Sequence, residues 1–334
     1  LIAVNHFHPE INSSNELSIA QKICDTLNIT LLSYNNNDHL PFNSLNRIPK
    51  KLNKPYIDLI HYNQIEHSSI LVNKHQNACL ISGEGGDEVF SAPPILESLS
   101  DLIIDSQYNE FFIKVKEMFY FYRIPNSIIL KSTILSLIKY YMKIKHRNIS
   151  LSNYREFSWM NSQNFNINHK DYIYTSHLNN KNIKPGKYFH IDSIYHSLNK
   201  LSSSFKVNIN CTNNFSPILS QPLLELIAAI PSYKLYGKNH DRLLLREMIA
   251  KQFKTDFVWR KSKGDLSGLV NLGFQKNYNN IKEICLDSFL VKSGISKQEQ
   301  YLEILSKLKI GGLYYNYWDI VDLLTVEIFI NSWK

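Results

Sequence analysis

Short apolar runs and amphipathic stripes take turns along residues 1–95. Leu1-Ile2-Ala3-Val4 opens a run that reads as a strand through Phe7. Leu17, Ala20, Cys24 and Leu27 then recur at helical spacing, one face of a helix over 15–27. Ser13 and Ser14 carry N-cap chemistry for it, and Asn15 competes for the role. Residues 29–33 read as a second strand, and after a polar stretch over 35–53 a helix is expected near 62–74. Ala78 to Ile81 is apolar and short enough for a buried parallel strand. Strands alternating with helices predict an α/β chain whose parallel sheet is covered on both faces.

From Ile95 onward the helical period dominates. Within Ser127 to Met142, Leu130, Ile134, Leu137 and Tyr141 fit one face of an ordinary packed helix. Residues 147–184 are polar and aromatic without a clear period, and a mobile cover over the site is expected there. A helix is expected over 192–205. Leu223 to Ile230 is apolar nearly all round and ends before Pro231, so it should be buried. A helix over 240–253 would turn Leu244, Met248 and Ile249 inward and leave Arg242, Arg246 and Lys251 outside. Leu313 to Trp333 reads as an aromatic-rich core helix.

With 334 residues, 44% of them hydrophobic, the chain can bury a sizeable core in one large domain or two modest ones. Its first residue, Leu1, already stands in a core-like strand, so a fragment that has lost its N-terminus is expected. The formal charge is +8, with Lys and Arg scattered. A nucleic-acid surface needs a basic stripe, so no nucleic-acid partner is expected. The four cysteines, Cys24, Cys79, Cys211 and Cys285, lie far apart without metal-ligand spacing, as reduced, buried thiols of a cytosolic protein would. No run approaches the roughly 18 uncharged apolar residues of a membrane span, and no membrane contact is expected.

The sharpest local signal is Cys79-Leu80-Ile81-Ser82-Gly83-Glu84-Gly85-Gly86-Asp87-Glu88-Val89-Phe90. Glycine lets backbone approach a ligand and offers N–H groups to an anion. Carboxylates beside a phosphate serve as Mg²⁺ ligands or proton acceptors. Taken alone, a GxGG string is as consistent with an acidic tight turn. His6 and His8, at the end of the first strand, are open to two readings: a metal pair or hydrogen-bonded bystanders.

The whole string Ser82-Gly83-Glu84-Gly85-Gly86-Asp87-Glu88 resembles the SGEGxDE loop of the asparagine synthetase family, ATP-pyrophosphatase enzymes that adenylate a carboxylate and pass it to an amine. Phe215-Ser216-Pro217-Ile218-Leu219-Ser220 resembles that family's R-x-P-F-L-D segment, with Phe215 for its Arg and Ser220 for its Asp. Trp259-Arg260-Lys261-Ser262-Lys263-Gly264 is similar to an R-x-K-x-G segment whose lysine stabilises charge on the phosphate. By spacing either Lys263 or Lys261 fills that role, Lys263 being preferred. The family's SGGxDS pyrophosphate loop is absent from this chain. The resemblance implies an adenine-nucleotide α-hydrolase-like parallel sheet with flanking helices, followed by a mainly helical C-terminal half. It makes 1–95 a partial ATP-pyrophosphatase core and 96–334 the helical part of the same domain, with the substrate groove. It places the Val4 backbone at adenine, Ser82, Gly83, Gly85 and Gly86 along the nucleotide, Asp87 on Mg²⁺, and Glu84 as the base that deprotonates the attacking amine.

Phe90 is followed by Ser91-Ala92-Pro93-Pro94, where the family continues F-G-G-Y. This departure and those at Phe215 and Ser220 resemble the lasso-peptide macrolactam synthetases. Those join the α-amine of a precursor peptide to an Asp or Glu side chain around a threaded tail. The implied function is ATP-dependent macrolactam formation in the cytoplasm, with ATP and Mg²⁺, a precursor peptide and a leader-peptide protease as partner. Two alternatives stand beside it: a glutamine-dependent asparagine synthetase or related amidotransferase, and a degenerate, non-catalytic peptide-binding protein.

Overall fold

The computed structural model describes residues 1–11, 15–37, 39–74, 78–144, 182–203, 214–260, 264, 267–309 and 313–334. Its elements in chain order are β1 (Ile2–Phe7), α1 (Leu17–Leu27), β2 (Thr30–Asn35), α2 (Tyr62–Lys74), β3 (Leu80–Ile81), α3 (Gly86–Val89), α4 (Ser98–Ile104), α5 (Tyr108–Tyr120), α6 (Asn126–Tyr141) and α7 (Pro185–Ser203). Then follow β4 (Asn214–Phe215), α8 (Gln221–Ala229), α9 (Leu243–Phe253), α10 (Ser267–Lys276), α11 (Tyr278–Leu286), α12 (Phe289–Lys292), α13 (Gln298–Lys309) and α14 (Leu313–Asn331). Among the described residues no helix is long and apolar enough to cross a membrane.

The first unit forms as the polarity pattern requires. Asn15 Oδ1 accepts the Leu17 N–H at 3.2 Å, one of the donors left over at the start of α1; Ser13 and Ser14 lie outside the described residues. Asn28, with φ 52°, ends the helix in the left-handed conformation that asparagine tolerates, and two residues later the chain enters β2. β2 runs parallel to β1, Ile2 opposite Thr30 through Phe7 opposite Asn35.

The chain is thus α/β with helices dominant, but its strands form two separate parallel pairs, β1 with β2 and β3 with β4. The single sheet covered on both faces that the strand–helix alternation predicts is not formed by the described residues. β3 has only two residues before the glycines take the backbone out of the ladder, and its partner β4 comes from a segment that carries no strand signal. Ile81 is consequently 53% exposed and Cys79 is exposed, against the buried strand and buried thiol expected there; Cys24 and Cys285 are buried, and Cys211 lies outside the described residues.

Burial resides mainly in the helices. The largest core joins Phe42, Leu52, Leu59 and Ile60 to the C-terminal helices through Phe274, Ile281, Tyr301, Leu305 and Leu324. A second packs α4, α5 and α6 against Tyr233 and Tyr236, and a third sets Val89 and Phe90 against Ile194, Ile227 and Leu235. The third holds the glycine loop, because α3 emerges directly from it.

Three expected helix faces come out differently. On α6 the residues turned inward are Ile129, Thr133 and Ser136, while Leu130, Ile134 and Tyr141 are 50%, 53% and 67% exposed. Apolar periodicity locates a stripe but not which neighbour covers it, and α4 and α5 approach α6 from the other side. Leu226 of α8 and Met248 of α9 are likewise exposed. Residues 147–181 of the expected cover lie outside the described residues.

α7 begins seven residues before the expected Asp192, at Pro185, and a buried carboxylate accounts for its start. Asp101 of α4 accepts the N–H groups of Gly186 at 2.8 Å and Lys187 at 3.1 Å, at the positive end of the helix. Burial nevertheless dominates and pushes its pKa up to about 6. The folded chain therefore holds this proton more tightly than the unfolded one. Its contribution to stability falls as pH rises from about 4 to about 6, by roughly 3 kcal/mol across the window. Burial lowers His61 and His190 to about 4, and they act in the opposite sense. Urea titrations of Asp101→Asn and the parent across this range should therefore differ by a slope of that sign; parallel curves would refute it.

Candidate active site

Ser82 leaves β3 with its N–H donated to Phe215 O at 3.0 Å and its hydroxyl 2.8 Å from that of Ser216. Leu80 and Ile81 stand opposite Asn214 and Phe215 in parallel register. Two stretches more than a hundred residues apart thus leave their strands together, and each turns into a helix.

Gly85 is the glycine that this geometry demands. Its φ is +86°, and a Cβ there would lie 2.4 Å from Leu219 Cδ2. Gly86 is less constrained, since a Cβ would meet Ile218 at 3.4 Å, and at Gly83 it would meet nothing within 4 Å. The loop is therefore pinned at Gly85 by the 217–219 turn and open at Gly83. Glu84 stands between them, exposed, without a hydrogen bond or ion pair to the described residues. Beyond the loop, Val89 O is paired with His190 Nε2 at 2.8 Å. Burial lowers the His190 pKa to about 4, so the ring is neutral and Nε2 carries the donated proton.

Asp87, in α3, is engaged by an arginine that the helical period would have left outside. Arg242 Nη1 lies 3.1 Å from Asp87 Oδ1, and its Nε lies 3.4 Å from Asp241 Oδ1. Arg246 holds the same Asp241 oxygen through Nη2 at 2.9 Å. Burial is the largest single influence on Asp241 and pushes its pKa up, but Arg246 and Arg242 together outweigh it, and the carboxyl ends below its ordinary value. Arg246 also donates through Nη1 to the carbonyls of Val258 and Arg260. A series of charged contacts therefore runs from the glycine loop to the edge of the lysine segment. Glu16 Oε1 secures the far side, accepting from Arg260 Nη1 at 2.6 Å and from the Gly264 N–H at 3.2 Å. Lys261 and Lys263 themselves lie outside the described residues.

The structure thus brings Ser82, Gly85, Gly86 and Asp87 against 215–219 and Arg242. Val4 belongs to the other strand pair, opposite Leu32. Sequence reasoning missed Arg242, Asp241, Arg246 and Glu16 as site residues. The clue for Arg242 is faint: an Asp-Arg pair just ahead of a helix whose interior has the expected period.

His6 stacks on Tyr34 with centroids 5.9 Å apart and meets the His67 ring edge-on at 5.1 Å, and His67 in turn stacks on His39 at 5.7 Å. Both ring nitrogens of His6 and Nδ1 of His8 are buried without a well-formed hydrogen bond. Among the described residues no group of three His, Cys, Asp or Glu could hold a metal ion. Burial, with neighbouring histidines adding to it, lowers the pKa of His6 and of His8, which favours their neutral rings.

Mg²⁺ usually takes one or two protein carboxylates and completes its shell with phosphate and water. Asp87 supplies one carboxylate at the mouth of the loop, so its chemistry suits a cation that arrives with phosphate rather than one caged by the protein alone. Comparison with protein-family models, with curated proteins and with solved structures finds no match to this chain.

Proposed function

We propose that this chain forms an amide from a carboxylate and an amine through an acyl-adenylate, as a lasso-peptide cyclase that joins a precursor α-amine to an Asp or Glu side chain. One observation carries the reading. The glycine loop and the 215–220 segment, which resemble two motifs of one enzyme family, emerge side by side, Ser82 Oγ 2.8 Å from Ser216 Oγ. A chance glycine turn has no reason to meet the second motif at its strand end.

On this reading the open backbone at Gly83 faces the nucleotide, while Leu219 fixes the turn at Gly85. Hydroxide is a poor leaving group, and adenylation replaces it with AMP; a bound Mg²⁺ would neutralise the departing pyrophosphate. Asp87 would hold that cation, and Glu84 would take the proton of the attacking amine. One of Lys261 and Lys263 would oppose charge on the phosphate, for which a preorganised donor is worth about 10²–10³ in kcat. Closing a ring around a threaded tail also fixes many flexible residues, at roughly 1–2 kcal/mol each, so a broad groove in the helical half is required.

The test is mass spectrometry of the protein incubated with ATP, Mg²⁺ and a candidate precursor peptide. The expected result is a peptide lighter by one water, with AMP and pyrophosphate in equal amount. ADP and phosphate as products, or AMP formation with free aspartate and glutamine in place of peptide, would overturn the cyclase reading.

A further inference from the structure

α6 packs with its polarity reversed. Its buried face carries Ile129, Thr133 and Ser136, and Ser132 beside them donates to Glu97 Oε1 at 3.1 Å. Its outer face carries Leu130, Ile134, Leu135, Ile138 and Tyr141, each between 45% and 67% exposed. α5 lies beside α6 on the shared support of α4, so the outer faces of the two helices adjoin. α5 adds Phe112, Ile113 and Tyr120, which are 62%, 58% and 76% exposed. Packing the core does not require this, since hydroxyls go inward while large apolar groups stay outside. An apolar surface of such extent marks a place where a protein meets a second protein or a membrane.

The charges distinguish the two. Between Glu117 and the end of α6 the charged side chains are Arg123, Lys131 and Lys139, with Lys143 just beyond, and no acid stands among them. α5 adds the exposed Lys116, while its Glu117 is turned to Lys114 at 3.4 Å and its Glu110 stands in the first turn. A second copy docked on the same face would set cation against cation. An anionic bilayer supplies both an apolar layer and the opposite charge. Tyrosine and lysine suit its boundary, each having a polar tip on an apolar body. Lys131 stands one turn before Ile134 within the apolar arc, where its stem extends the apolar surface and its amine reaches phosphate. A helix in this position lies in the headgroup plane, so no spanning length is needed. We infer that the outer face of α5 and α6 docks this chain on an anionic lipid surface. The attachment is independent of the reaction proposed above.

Co-sedimentation of the full chain with vesicles tests it. Vesicles of equal parts phosphatidylserine and phosphatidylcholine should bind the chain, and vesicles of phosphatidylcholine alone should bind it about tenfold more weakly or less. Lys131→Gln combined with Lys139→Gln should weaken binding to the anionic vesicles about twentyfold, since each cation near such a surface contributes about fivefold. Ile134→Ser combined with Ile138→Ser should weaken it about tenfold or more. Both side chains are about half exposed, so circular dichroism of that variant should match the parent's, and the lysine pair serves if it fails to fold. A folded parent that ignores the anionic vesicles, or binds both kinds equally, refutes the inference. Binding that survives Ile134→Ser with Ile138→Ser belongs to the chain's general basicity, a formal charge of +8, and refutes a role for this face. Sedimentation velocity without lipid covers the other occupant. A parent dimer that the same isoleucine substitutions abolish makes the face an interface between copies and overturns the lipid reading.

Discussion

Glu84→Gln is expected to lower the rate of amide formation by about 10²–10⁴, the range a positioned general base contributes, while ATP binding stays near the parent value. The substitution preserves size and planarity and removes only the ability to accept a proton. Glu84 is exposed and engages none of the described residues, so no fold contact is lost with its charge. Its neighbours define what the side chain can do: Gly85 is fixed against Leu219, whereas the space around Gly83 is open to a substrate. An α-amine has a pKa of about 8, so a fraction is already neutral near pH 7, and the base adds to the reaction rather than making it possible. Single-turnover measurements on ATP and precursor peptide would separate binding from chemistry. Ring closure at the parent rate would end the assignment of Glu84 as base.

The largest loss of stability is expected at a residue remote from the site. Glu327 of α14 is fully buried and its carboxylate caps α12, accepting the N–H groups of Phe289 at 3.1 Å and Leu290 at 3.0 Å together with the hydroxyl of Ser288. Ser288 Oγ in turn accepts from the Val291 N–H at 3.1 Å. Glu327→Ala strips the Phe289 and Leu290 N–H groups of their acceptor at once, along with the Ser288 hydroxyl. Each such orphan costs about 1–3 kcal/mol, so a total near 4 kcal/mol is expected, a large share of the roughly 5–15 kcal/mol that holds a domain together. Glu327→Gln keeps one acceptor oxygen but turns an amide NH₂ toward the N–H groups, and should fall between. Urea unfolding followed by circular dichroism would check the order, and a midpoint for Glu327→Ala equal to the parent's would show that water replaces the carboxylate.

What could be read in advance follows the range of the interactions involved. α2 and α14 were legible because their periods are local, and the loop from Ser82 to Glu88 because glycines and carboxylates are unusual side by side. β4 was not, since Asn214 and Phe215 become a strand only by pairing with Leu80 and Ile81. The outward turn of Leu130 and Ile134 escaped for a related reason: α6 has the apolar stripe, but Thr133 and Ser136 on another face make the contacts that bury it. Arg242 was assigned to solvent by counting along the helix, and its left-handed backbone sets it apart from that count. Val4 illustrates the converse, a strand placed correctly whose pairing belongs to β2.

Glu16 grips both Arg260 and Gly264, partners that lie 244 and 248 residues further along. A polypeptide leaving the ribosome at about 5–20 residues per second therefore carries an unmatched carboxylate for tens of seconds before its clasp exists. The same delay applies to Ser82, which waits for Ser216. The contacts that close around the glycine loop and its neighbours are accordingly completed only once Ser216, Arg260 and Gly264 have all emerged.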